Sequence, residues 1–198
     1  VNKILETITT VFECASLWSN NLHGRSAFEE NRIEGFAFKV LDHKDVEAIA
    51  AFNAKRGQKY EEVVRKRMMD ANSYLCFAFI DETSNEIAYT RWTNSDSFYS
   101  IPLRKEIVLK ENEILTLDSY TPPEYRMKGL HREMNIRMLN WLMFEKEITK
   151  VYMVIKCFNP HLIKIPKSLG YRRVYTVVYY KKKGFCEVFK RLMGKVNK

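Results

Sequence analysis

The sequence predicts a mixed α/β fold, a sheet of parallel and antiparallel strands with helices packed against it. Two observations carry this reading. Strand-like runs over 74–80 and 86–93 flank the turn-rich segment 81–85, which describes an antiparallel hairpin. Downstream, a strand at 114–121, a long apolar-rich helix from about 129 to 147 and a strand at 151–158 form a unit that needs a parallel pair joined by a crossover. The chain has 198 residues, 46% of them hydrophobic, which is enough for one sizeable core and too apolar for a disordered protein.

The elements follow in order. Ile4, Leu5, Ile8, Val11, Phe12, Ala15 and Trp18 fall at helical spacing, so a helix is expected over 3–22. A polar connection over 19–34 leads to a strand at 35–41. Asp42 can cap the next helix, whose inward face is Val46, Ile49, Ala50 and Phe52. Gly57 breaks it, and Tyr60, Val63, Val64 and Met68 mark a second helix. After the hairpin, 94–112 is a polar connection with strand character near 106–109. Pro122-Pro123 stops the following strand. The long helix shows Leu130, Met134, Met138, Leu139, Trp141 and Leu142 inward, with Glu133, Arg137, Asn140 and Glu147 as its polar face. A short helical segment at 160–169 and a strand at 171–180, rich in β-branched and aromatic residues, complete the order. The domain is thus expected over 35–180, with an N-terminal helix and connection (1–34) and a C-terminal appendage (181–198) outside it.

Charge and cysteine usage narrow the function classes. The net charge is +9, but seven basic residues and one acid fall in 181–198, so six of the nine charges belong to the tail. A general nucleic-acid surface on the fold is not expected. Cys14, Cys76, Cys157 and Cys186 include no CxxC pair, the four histidines are scattered, and no metal site is expected. Cys76 and Cys157 lie in apolar runs and read as buried, inert thiols. The longest apolar runs are broken by charge every few residues, and no signal-peptide pattern opens the chain, so a soluble cytoplasmic protein is expected.

The chemistry concentrates in residues 115–134. A strand ends at the double proline and the chain enters a long helix through Arg126, Met127, Lys128, Gly129, Leu130, His131 and Arg132. A loop feeding a helix start aims several backbone N–H groups at one point, where the helix dipole also favours negative charge. Gly129 permits close backbone approach, and Arg126, Lys128 and Arg132 add positive charge. The result is a phosphate or pyrophosphate cradle. It has neither the Walker pattern nor the GxGxxG dinucleotide fingerprint.

The stretch Pro123-Glu124-Tyr125-Arg126-Met127-Lys128-Gly129-Leu130 resembles the acyl-CoA-binding motif of the GNAT superfamily of N-acetyltransferases, whose pattern is Arg or Gln, two residues, Gly, one residue, then Gly or Ala. A second segment, from Asn159 to Ser168-Leu169-Gly170-Tyr171, is similar to the family's Asn…Leu-Gly-Phe segment, with the same spacing of eleven from Asn to Gly. The resemblance spans roughly 35–180. It implies a central, mostly antiparallel sheet with a splayed parallel pair, 114–121 and 151–158, and acetyl-CoA as co-substrate. Pantetheine would lie in the splay against Ser119, Tyr120 and Thr121, the pyrophosphate on Arg126–Arg132, and Asn159 beside the pantetheine arm. Two departures stand out. His131 replaces the family's second small residue, and Pro166 stands where a tyrosine acid is often found, seven residues after the Asn.

Acyl transfer to an amine needs a deprotonated amine, a stabilised oxyanion and a leaving thiolate. Asp118 is the first choice of base, being just ahead of the pantetheine segment, and a solvated or paired strand carboxylate is its alternative. Tyr120 and His161 are candidate acids. The implied activity is CoA-dependent N-acyl transfer, acetyl in the first instance, to a primary amine of a small molecule, an amino sugar or a peptide. The alternative is a lapsed GNAT-fold protein that binds CoA, a partner or a membrane surface.

In the tail, Phe185, Val188, Phe189, Leu192, Met193 and Val196 form a helical stripe opposite Lys190, Arg191, Lys195 and Lys198. Such a helix packs on its own domain or on a second copy as a homodimer. Otherwise it lies at the inner membrane face over anionic lipid as a peripheral contact through 181–198.

Overall fold

The computed structural model describes residues 12–70, 72–156, 161–180 and 188–191. In chain order they form strand β1 (Phe12–Asn21), strand β2 (Phe36–Leu41), helices α1 (Val46–Ala54) and α2 (Gln58–Met69), and the hairpin β3 (Tyr74–Asp81) and β4 (Ile87–Asn94). A small hairpin of β5 (Phe98–Ser100) and β6 (Lys105–Ile107) follows, then β7 (Glu113–Tyr120), helix α3 (Leu130–Glu145) and β8 (Lys150–Lys156). Helix α4 (His161–Ser168), β9 (Arg172–Tyr180) and β10 (Val188–Arg191) complete the described chain. Eight strands make one sheet in the order β10-β9-β1-β8-β7-β4-β3-β2, in which β7–β8 is parallel and the other paired neighbours are antiparallel. The mixed α/β expectation holds.

Local chemistry explains most boundaries. Asp42 forms a full capping box with Asp45, accepting from Lys44 N at 2.7 Å while Asp45 accepts from Asp42 N at 3.0 Å. α3 packs on one face of the sheet, where Leu130, Met134, Met138 and Leu142 meet Phe77, Phe79, Tyr89 and Met153. α1 and α2 cover the opposite face around Cys76, Ala78 and Trp92. The β5–β6 hairpin extends that second layer over β1, β7 and β9 through Leu103 and Ile107. Burial pushes the Cys76 thiol pKa up, in keeping with an inert core thiol.

Two expectations are corrected. The segment read as an N-terminal helix is, from Phe12 onward, a strand between β8 and β9; residues 1–11 of that expectation lie outside the described residues. The cause is burial on both faces. Cys14, Ala15, Ser16, Leu17 and Trp18 are all buried, so period-two alternation is absent and helical spacing is matched by coincidence. The domain therefore begins well before residue 35. The tail helix is the second correction. Val188–Arg191 is a strand that pairs antiparallel with β9, Val188 facing Tyr179 and Arg191 facing Thr176. The sheet edge offers backbone hydrogen bonds that side-chain periodicity does not register. The remaining tail lies outside the described residues.

The polar connection before β2 also has a structural use. Asn140 of α3 accepts from Phe28 N at 2.8 Å and donates to Phe28 O at 2.9 Å, while Glu133 accepts from Asn31 N at 2.9 Å. The polar face of the helix is therefore covered at Glu133 and Asn140, with Glu133 only 2% exposed and tied to Arg137 at 3.1 Å.

Candidate functional site

β7 and β8 stay paired only from Glu113–Lys150 to Thr116–Met153, although both strands run on to Tyr120 and Lys156. On its other side β7 is bulged. Thr93 faces Thr116 but Arg91 faces Ser119, so β7 has one residue more than β4 across this interval. The ends of β7 and β8 splay, and a crevice of about 200 Å³ opens there, lined by Arg91, Thr116, Ser119, His131, Asn135 and Pro166 among others.

The cradle adjoins it. After β7 the prolines lead into a short 3-10 turn, Pro123–Tyr125, and Arg126 Nε donates to Thr121 O at 3.2 Å. Met127 (φ 63°) and Gly129 (φ 78°) are both left-handed, and Met127 is a fully exposed non-glycine in that region. Such backbone is costly for a methionine and clusters where ligands are held. The N–H groups of Met127, Lys128, Gly129, Leu130 and His131 find no acceptor among the described residues, whereas Arg132 N bonds to Gly129 O. Five successive free donors at the start of a sixteen-residue helix form an anion nest. A cavity of about 510 Å³ lies over them, lined by Thr121, Arg126, Lys128, Gly129, His131 and Arg132 among others. Lys128 is steadied over the rings of Tyr125 and Phe36, at 5.0 and 5.3 Å.

His131 lines both spaces. Its Nδ1 shares a hydrogen bond of 2.8 Å with the Tyr89 hydroxyl. Burial, with a smaller contribution from the Arg91 charge, lowers its pKa to about 4, so the imidazole is neutral at pH 7. The unfolded chain binds this proton near pH 6.5 and the folded chain only near 4, so stability is flat above about pH 7 and falls as pH drops between these values. Full protonation costs about 3 kcal/mol at 1.4 kcal/mol per pKa unit. Urea unfolding from pH 7 to 4 should therefore show a steeper stability loss in wild type than in His131→Gln; parallel curves would refute a buried neutral imidazole.

Ser119 lines the crevice and Thr121 the cradle. Asp118 and Tyr120 face the other side of the sheet. Asp118 accepts from Arg56 at 2.8 and 3.0 Å in a bidentate pair and has Arg67 at 3.6 Å. Tyr120 packs edge-on against Phe52, with its ring 4.9 Å from the Arg56 guanidinium. The carboxylate singled out as base thus takes the paired alternative. His161 opens α4, and Asn159 lies outside the described residues. Pro166 lines the crevice, so the position that would present a tyrosine hydroxyl presents a ring without a donor. No group of three or more metal-binding side chains occurs among the described residues, and no described helix is long and apolar enough to cross a membrane.

Sequence reasoning missed Arg91, Tyr89 and Tyr171. The available signal was Arg91 itself, the one charge in the run from Ile87 to Thr93. It is 5% exposed and donates to Thr116 Oγ1 at 3.0 Å. Burial raises the hydroxyl pKa values of Tyr89 and Tyr171, keeping both protonated.

No family model matches the sequence, and no curated protein matches it. Solved structures do resemble the fold. A tandem GNAT protein from the clavulanic acid biosynthesis pathway superposes with a TM-score of 0.59 at 10% identity, over 82% of this chain and 50% of that one. A GCN5-related N-acetyltransferase from Sphaerobacter thermophilus gives 0.59 at 9% identity, over 89% and 54%. A ribosomal-protein-S5-alanine acetyltransferase from Vibrio fischeri gives 0.53 at 15% identity, over 74% and 82%. The chain spans about half the length of the first two. At these identities the likeness establishes the fold, which is that of the GNAT acetyltransferases.

Proposed function

We propose that this GNAT-fold chain is a CoA-dependent N-acyltransferase, transferring acetyl from acetyl-CoA to a primary amine of a small molecule, an amino sugar or a peptide. The observation that carries the reading is the adjacency of two spaces that share His131 in their walls, an anion nest of five free N–H groups and a crevice between splayed parallel strands. The nest and Arg126, Lys128 and Arg132 suit a pyrophosphate. The unpaired edges of β7 near Ser119–Thr121 suit the amides of a pantetheine arm, with Asn159 beside it by resemblance.

In the reaction the neutral amine nitrogen attacks the thioester carbonyl carbon. A C–N bond forms, the carbonyl oxygen becomes an oxyanion held by a backbone N–H of β7, and the C–S bond then breaks. The sulfur leaves as thiolate with the bonding pair, and the ammonium proton passes to it or to water. A thiol pKa of roughly 8.5 makes that departure tolerable without the donor that Pro166 lacks. The acceptor would approach from the region between β2 and the α1–α2 pair, near the 94–112 connection.

Calorimetry with acetyl-CoA on wild type and Gly129→Trp tests the reading. A Cβ at Gly129 meets nothing within 4 Å, so the variant obstructs the nest and strains its backbone without disturbing the core. Wild type should bind in the micromolar range of roughly 1–100 µM, and the variant at least about tenfold more weakly. Absence of binding by wild type refutes the proposal. Pro166 in the crevice and the engaged Asp118 favour one second reading, a CoA-binding module without turnover. Release of free thiol from acetyl-CoA with any amine of a panel excludes it.

A further inference from the structure

β4 carries one guanidinium into the sheet, beside the Tyr89 hydroxyl and Thr116, and leaves it only partly satisfied. Arg91 is 5% exposed; one terminal nitrogen donates to Thr116 Oγ1 at 3.0 Å, and that hydroxyl in turn donates to Tyr152 O at 3.1 Å. Its Nε is buried without an acceptor, and among the described residues no carboxylate pairs with it. The buried acid on the same face, Glu133, is already committed to Arg137 and to Asn31 N. Buried polar groups are almost always hydrogen-bonded, and buried charges are paired or held for a ligand. A buried cation with an open Nε donor and no carboxylate partner among the described residues describes a missing anion.

The place of the charge says what kind of anion. Arg91 lines the crevice between β7 and β8 together with Thr116, Ser119, His131 and Asn135. The phosphates of a CoA ester have their own donors in the cradle, on the far side of His131. The crevice walls include Met153 and Ile155, and its volume of about 200 Å³ suits a short chain with a polar end. We propose that Arg91 binds a carboxylate of the substrate pair, carried at the far end of the acyl group as in a dicarboxylic acyl thioester. The inference rests on the acyl-transfer reading and names its substrate class. The same chemistry supplied by the acceptor, as the carboxylate of an amino acid, is the other source.

The test titrates the full chain, as wild type and Arg91→Met, with CoA, butyryl-CoA and succinyl-CoA. Butyryl-CoA keeps the chain but replaces the carboxylate by a methyl group. Wild type should favour succinyl-CoA over butyryl-CoA by about tenfold or more, as a charge-assisted bidentate pair does, and Arg91→Met should lose that preference while still binding CoA. A second arm measures thiol release from acetyl-CoA with L-alanine against L-alaninamide. A preference for the acid that disappears in Arg91→Met places the carboxylate on the acceptor. If CoA binds and neither arm shows a preference dependent on Arg91, the inference is overturned while the acyl-transfer reading stands. If CoA does not bind, the acyl-transfer reading fails and takes the inference with it. The melting midpoint Tm supplies the structural control. Replacing an unpaired buried charge by an apolar side chain should not lower it. A lower Tm with unchanged ligand preference would show Arg91 to be purely structural.

Discussion

A chain starting at residue 23 should not fold. β1 is flanked by strands on both sides, pairing with β8 from Ala15–Lys156 to Asn21–Lys150 and with β9 from Phe12–Tyr180 to Ser19–Arg172. Without it, β9 and β10 lose their junction to the rest of the sheet. Trp18, 4% exposed, and Leu22 leave the core beneath α3, while Ala15 and Leu17 leave the opposite layer. Asn20 is fully buried and donates to Leu169 O at 2.9 Å, fixing the chain after α4. The single substitution Trp18→Ala should alone cost about 3–5 kcal/mol. Typical domains hold about 5–15 kcal/mol, so losing the whole strand exceeds the stability available. Circular dichroism melts of the full chain, Trp18→Ala and the truncated chain measure this directly. A truncated chain that melts cooperatively would show that β1 is dispensable.

The contrast between β1 and the later elements explains what the sequence could disclose. Asp42, Gly57, Pro122-Pro123 and Gly129 are local signals, and each marks a real boundary because capping and turn chemistry act within a few residues. β1 lacks such a signal, and burial on both faces erases its alternation. The same division runs through the site. The cradle was legible because it is one continuous loop and helix start. The crevice floor was not, since it depends on contacts between Arg91 and Thr116 and between Tyr89 and His131, which are 25 and 42 residues apart. Asp118 was chosen for its place just ahead of the pantetheine segment, and a single bulge decides which face that place presents. Simple alternation puts residue 118 on the same face as Thr116, toward the crevice. The extra residue opposite Trp92 turns the strand over, so Ser119 takes the crevice side and Asp118 the side of α1 and α2.

That inversion makes Asp118→Asn the most informative substitution in the molecule. The carboxylate holds two guanidiniums, Arg56 at 2.8 Å and Arg67 at 3.6 Å, whose side chains are only 16% and 17% exposed. Burial opposes charge on Arg56, but the hydrogen bonds and attraction of Asp118 outweigh it and its pKa is raised; for Arg67 burial prevails and the pKa is lowered. Arg56 is further stacked 3.8 Å from the Tyr60 ring, and Arg67 lies 5.2 Å from that of Trp92, so neither can swing freely into water when the anion is lost. A neutral amide offers one acceptor oxygen and no charge to the pair. Asp118→Asn should therefore lose about 3 kcal/mol of stability, the penalty for stranding partly buried cations. Arg56→Met in the same chain should recover part of that loss, giving a coupling energy of about 1 kcal/mol or more in the double-mutant cycle. A catalytic base predicts the reverse pattern. Tm would stay constant, turnover would fall by about two orders of magnitude, and the acid limb of the pH–rate profile would disappear. Measuring Tm and the pH profile on the same three variants separates a strut between the helical pair and β7 from a proton acceptor. The bidentate geometry predicts the strut, and with it an amine proton that leaves through water.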